Sequence, residues 1–111
     1  MRIEIKPFSV NDAWQGKRFR TDNYKRFQKD MMLLLPPLKI NFKEPLKIDL
    51  VFGFSSNASD IDNPVKPLLD ILQKKYGFND NQIREMNLKK EVVKKGSEFI
   101  KLEINELKKA S

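Results

Sequence analysis

Leu46-Lys47-Ile48-Asp49-Leu50-Val51-Phe52-Gly53-Phe54 decides the fold. Leu46, Ile48, Leu50, Phe52 and Phe54 alternate with Lys47, Asp49, Val51 and Gly53, and a period of two belongs to a strand whose side chains point to opposite faces in turn. Downstream, Pro64 and Pro67 bracket a helix start, because first-turn N–H groups have no intrahelical partner and proline forfeits nothing there. Asp62 or Asn63 is expected to cap that helix. Val65, Leu68, Leu69, Leu72 and Tyr76 then form its buried stripe, Lys66, Asp70 and Lys74 line up on another face, and Gly77 ends it. Beyond the Asn79-Asp80-Asn81 loop, residues 83–95 and 98–107 read as two strands joined at Gly96-Ser97, an antiparallel hairpin with Ile100, Leu102 and Ile104 on its core face.

Upstream of the deciding strand, Ile3 and Ile5 alternate with Arg2, Glu4 and Lys6, a short half-buried strand running into Pro7. Residues 9–20 read as a polar, basic loop with isolated aromatics. Thr21 or Asp22 then caps a helix whose apolar stripe is Tyr24, Phe27, Met31, Leu34 and Leu35. Tyr24 and Phe27 therefore count as core rather than as ligand contacts. The order is strand, helix, strand, helix, strand, strand. The expected fold is α+β, one domain over residues 1–111, with two helices packed on a mixed β-sheet and a C-terminal antiparallel hairpin.

Composition limits the chemistry. The chain of 111 residues has neither cysteine nor histidine, which removes disulfides, thiolate and imidazole zinc sites, cysteine nucleophiles and imidazole general bases together. Carboxylates and lysines must carry any catalysis. The net charge of +7, from 22 Lys+Arg against 15 Asp+Glu, favours a polyanionic partner. Residues 1–47 hold 11 basic and 5 acidic groups, residues 48–83 hold 3 and 5, and residues 84–111 hold 8 and 5. An acidic centre is thus flanked by basic segments, a layout suited to binding cations at the centre and a phosphate backbone on the flanks. No apolar run approaches the roughly 20 residues of a membrane span, and Met1 to Ile5 alternates instead of forming a signal peptide's apolar core. The expected location is the cytoplasm.

In Asp60-Ile61-Asp62 the carboxylates stand two apart, so an extended backbone would turn both to one side, where they could share a hard divalent ion. Asp80, in the loop after the following helix, is expected to fold back toward them. Lys66 lies one helical turn beyond Asp62, where it could donate to a phosphate, and Asp70 could orient it. An isolated D-x-D is more often a turn or a helix cap than a metal site. A calcium-binding loop is excluded, since Val65 would occupy the position of its sharp-turn glycine.

Two longer stretches carry more. Asp60-Ile61-Asp62-Asn63-Pro64-Val65-Lys66-Pro67-Leu68-Leu69-Asp70, followed by Gly77-Phe78-Asn79-Asp80-Asn81-Gln82-Ile83, resembles the RusA family of Holliday junction resolvases, with its D-x-D-N-x-x-K-x-x-x-D and a later glycine-led D-D-x-Q. Pro7-Phe8-Ser9-Val10-Asn11-Asp12-Ala13-Trp14 looks like that family's P-x-S-x-N loop. The resemblance implies that Asp60, Asp62 and Asp80 are metal-binding catalytic carboxylates, with Lys66 an essential lysine and Asp70, Asn63 and Asn79 in support. It also implies a homodimer that uses Mg²⁺ or Mn²⁺, and no small-molecule cofactor, to make paired nicks in four-way DNA junctions in recombination and repair. Its members are often encoded by phages or prophages. Asn79 departs from the family pattern, where the first acid of D-D-x-Q stands; an amide can ligate but brings no charge. A catalytically inactive junction-binding protein, or a nuclease for flaps or other branched DNA, is the alternative. Lys17, Arg18 and Arg20 are expected to contact the DNA backbone, together with Asn11 and Trp14 from the same region.

Overall fold

A strand whose two edges are both paired and whose one face is covered shows near-complete burial of alternate residues, and the stretch from Leu46 behaves in this way. A computed structural model describes residues 1–8, 14–15 and 19–107, with backbone only for Trp14, Gln15, Phe19 and Arg20. In chain order the elements are β1 (Arg2–Ile3), β2 (Trp14–Gln15), β3 (Phe19–Arg20), α1 (Asp22–Leu34), β4 (Leu46–Phe54), α2 (Val65–Tyr76), a 3₁₀ turn (Asp80–Gln82), β5 (Ile83–Val92) and β6 (Phe99–Glu106). The main sheet has the order β1-β6-β4-β5. β4 runs antiparallel to β6 and parallel to β5, and the parallel pair is made possible by the crossover through α2. The α+β class and the mixed sheet with two helices are as expected.

The two C-terminal strands follow one another, run in opposite directions and turn through Gly96, which has the positive φ of 93° that glycine adopts freely. They do not lie side by side, because β4 stands between them. Each satisfies its backbone groups on an opposite edge of β4, and Val93 N–H extends the β5 side to Phe54 O at 2.7 Å. A strand as apolar as β4 gains most from the centre of the sheet, and the half-exposed β5 takes the edge. The segment read as a loop also contains a small pairing of its own, β2 with β3, Trp14 opposite Arg20.

One core joins the sheet to both helices. Leu46, Ile48, Leu50, Phe52 and Phe54 are all buried, as are Ile100, Leu102 and Ile104 of β6. Helix α1 contributes Tyr24, Phe27 and Met31, and Leu35 just beyond it. Leu34, expected in that stripe, is 52% exposed, since the helix ends there and Leu35 turns extended. The cap is Thr21, whose hydroxyl accepts from Tyr24 N–H at 3.2 Å. In α2 the buried residues are Pro67, Leu68, Ile71 and Leu72; Val65, Leu69 and Tyr76 sit at its margin, so the stripe is rotated toward Ile71. Tyr24 Oη donates to Pro67 O at 3.4 Å and Lys75 Nζ to Met32 O at 3.0 Å, binding α1 to α2. The other face of the sheet is largely open and polar apart from Phe99, which is buried beside Gly53; there Lys47 pairs with Glu85 at 3.2 Å and Asn87 donates to Asp49 at 2.7 Å.

Candidate active site

Strand β4 ends at Phe54 and delivers the chain to a loop, residues 55–60, that leads into α2. Short local bonds shape it: Ala58 N–H donates to Ser56 Oγ at 3.2 Å and Ser59 N–H to Ser56 O at 3.3 Å. Lys90 of β5 reaches across and donates its ammonium to the carbonyls of both Asn57 and Ser59. Sequence reading missed Lys90. Its only signal is a lysine in an alternating strand, and nothing local says which carbonyls it will meet.

Asp60 and Asp62 are exposed, but the backbone between them is not extended. Residues 61–64 form a turn, closed by Val65 N–H donating to Asp62 O at 3.0 Å. The pair is therefore oriented by a turn and not by strand alternation. Pro64, in the α region, occupies the cap position of α2, and no side chain caps it. This corrects the expectation that Asp62 or Asn63 would do so, and it has a chemical consequence, because neither side chain is committed to the helix. Asn63 Nδ2 instead donates to Asp60 Oδ2 at 3.3 Å. Asp60 and Asn63 line a cleft of about 320 Å³ together with Lys6, Phe54, Ser59 and Pro64. Lys6 adds a cation to the lining of the same cleft, a second residue that sequence reading missed because it lies 54 positions away.

Lys66, in the first turn of α2, is exposed, and Asp70 is half-buried. The ion pairs among the described residues are Arg2–Glu4 and Lys47–Glu85, so Asp70 does not hold Lys66. Both charges stay available.

Asp80 stands elsewhere. It opens the 3₁₀ turn, exposed, with its N–H donating to Gln73 Oε1 at 2.9 Å. Ile83, three residues on, pairs with Leu46 at the start of β4, whereas Asp60 follows the end of β4. Nine residues of strand span roughly 26 Å and the twelve of α2 about 18 Å. Asp80 is thus on the order of 20 Å from Asp60 within one chain, and among the described residues no three acidic groups gather to hold a metal. The expected folding back does not occur, because α2 carries the chain the length of the sheet first.

Asn79 has a structural task. Its side chain accepts from Asn81 N–H at 3.1 Å, while its own N–H donates to Gln82 Oε1 at 3.0 Å, a capping box around the turn. Gln82 Nε2 in turn donates to Phe42 O and Glu44 O. The D-N-Q segment is thereby anchored to the loop before β4, and Asp80 is presented at the surface. Asn11, Lys17 and Arg18 lie outside the described residues, as do the side chains of Trp14 and Arg20.

The family model described as Endodeoxyribonuclease RusA matches residues 9–105. The chain belongs to the RusA endodeoxyribonuclease family. The match runs through both acidic segments, the loop after β4 and the turn after α2. Comparison with curated proteins gives no match. No described helix is long and apolar enough to cross a membrane.

Proposed function

We propose that this RusA-family chain is a metal-dependent endodeoxyribonuclease that resolves four-way DNA junctions by paired nicking, acting as a homodimer. The observation that carries the reading is the exposed Asp60–Asp62 loop, with its adjoining lysine-lined cleft, in a chain that matches this nuclease family over residues 9–105. The donors present are carboxylate and amide oxygens, which suit Mg²⁺, or Mn²⁺ in its place; such an ion takes one or two carboxylates and completes its shell with water and phosphate oxygens. When bound, the ion lowers the pKa of a coordinated water and offsets phosphate charge. Asp60 and Asp62 would hold it. Asn63 fixes the Asp60 carboxylate through its amide, Lys6 lowers the local negative charge so that a phosphodiester can approach, and Lys66 offers N–H donors to the phosphate oxygens as charge builds on them.

The placement of Asp80 supports the homodimer. One chain keeps it a strand's length from Asp60, and a second copy related by a two-fold axis can present its own Asp80 to the first copy's Asp60–Asp62 loop. Two such centres match the two symmetry-related strands of a junction. Incubation with a synthetic four-way junction and a linear duplex of the same sequence, in Mg²⁺ or in EDTA, tests the reading. Paired nicks in the junction that require the metal are expected. Tight binding without cutting would instead mark an inactive junction binder, and preferential cutting of a flap a nuclease for other branched DNA.

A further inference from the structure

A second polar cleft opens at the far end of the sheet, where β4 begins. Lys43, Pro45, Asn81, Gln82 and Arg84 enclose about 330 Å³ there. Its frame is tied down by main-chain and amide bonds. Lys43 N–H donates to Asn41 Oδ1 at 3.0 Å and Glu44 N–H to Asn41 O at 3.2 Å, Pro45 O accepts from Leu107 N–H at 2.8 Å, and both ends of the Gln82 amide are engaged. The charged groups are free. Neither Lys43 nor Arg84 forms an ion pair with a described residue, and the neighbouring carboxylates of Glu44 and Asp80 do not line the cleft.

Arg84 reaches this position through a fault in the ladder. Leu46 pairs with Ile83 and Lys47 with Glu85, so Arg84 is the extra residue of a β-bulge, a device that re-aims a side chain. In an unbroken register Arg84 would stand beside Lys47, a like-charge neighbour that destabilises a sheet. The bulge puts Glu85 against Lys47 instead, at 3.2 Å, and releases Arg84 toward Lys43 and Asn81. The result is an ammonium, a guanidinium fork and an amide around one opening, next to Asp80 in sequence. That set fits a phosphate better than any other common ligand, Arg by paired N–H donors and Lys as a point charge.

We propose that Lys43, Asn81 and Arg84 form a phosphate site that grips the DNA backbone beside Asp80. This rests on DNA being the substrate, as proposed above. The test is fluorescence anisotropy of a labelled four-way junction in EDTA, from low to moderate salt, for the wild type, Lys43→Ala/Arg84→Ala and Lys43→Arg/Arg84→Lys. The alanine pair is expected to bind roughly tenfold more weakly at low salt and to reduce the slope of log K against log salt by about 2, one for each lost contact. The charge-preserving pair should keep the slope, and both should unfold at the wild-type temperature. Inorganic phosphate should compete only at far higher concentration than DNA; equal competition would point to a site for the free ion and overturn the assignment to DNA. An unchanged slope in the alanine pair, beside a wild type that binds the junction, overturns this proposal alone. A wild type that does not bind DNA removes the reading beneath it as well.

Discussion

Asp60→Asn or Asp62→Asn removes one negative charge from a surface that must receive a phosphodiester. Either is expected to abolish nicking in Mg²⁺ while junction affinity in EDTA holds or rises, since the repulsion between site and phosphate falls. Wild-type nicking by either variant contradicts the assignment. Lys90 acts on the same loop at one remove, through the carbonyls of Asn57 and Ser59. Lys90→Met should lower kcat by roughly 10- to 100-fold through misplacement of the Asp60 loop, with KM little changed, and Lys90→Arg should recover much of it. The aspartates were legible in sequence as a spaced pair within a longer motif, and so was Lys66. Lys6 and Lys90 were not, because they are brought to the Asp60 loop and its cleft by sheet order, and sheet order depends on which strand takes the centre. Asn79 looked like a weakened ligand, and the structure shows a cap, which Asp would also fill. Asn79→Asp should leave stability unchanged within about 0.5 kcal/mol, whereas Asn79→Ala should cost about 1 kcal/mol, by urea unfolding.

The elements hold the site through two less visible positions. Gly53 faces Phe99 across β4 and β6, and a Cβ there would lie 2.3 Å from the ring. Phe99 is buried and covered by Arg2, whose guanidinium lies 3.9 Å from the ring centre, so the ring has little room to move. Gly53→Ala should destabilise by about 1–3 kcal/mol, and the damage falls at the end of β4 that launches the Asp60 loop. At the turn between β5 and β6, Glu98 accepts hydrogen bonds from its own N–H, from Gly96 N–H at 2.7 Å and from the Ser55 hydroxyl, with Lys6 nearby. These hold its pKa below the ordinary carboxylate range despite partial desolvation. A carboxyl group whose pKa is lowered on folding stabilises the native state above its unfolded pKa, and loses that effect as pH falls through the folded one. Glu98→Gln should therefore lower Tm at neutral pH, and the gap to wild type should close in acid. Strand and helix positions were readable because their periodicities are local. The place of β5 on the far side of β4 was not, since an antiparallel pair joined by a short turn reads as a hairpin unless the strand that will separate them is known.

At the scale of the whole molecule, an acidic middle flanked by basic segments maps onto two clefts at opposite ends of one sheet. Lys6 and Asp60 line one, Lys43 and Arg84 the other. A twelve-residue helix between Asp62 and Asp80 already implies their separation, and it is this length that turns a three-aspartate motif into an argument for two copies of the chain. Mixed dimers test that most directly. Asp60→Asn and Asp80→Asn are each expected to be inactive alone, because every centre in either homodimer lacks one carboxylate. Refolded together, they should form mixed dimers with one complete centre, built from the Asp80→Asn chain's Asp60 and Asp62 and the other chain's Asp80. The predicted result is recovery of single nicks in a four-way junction in Mg²⁺, without paired cutting. If the mixture stays as inactive as its components while the wild type cuts, the three aspartates do not work across two chains, and the account is contradicted.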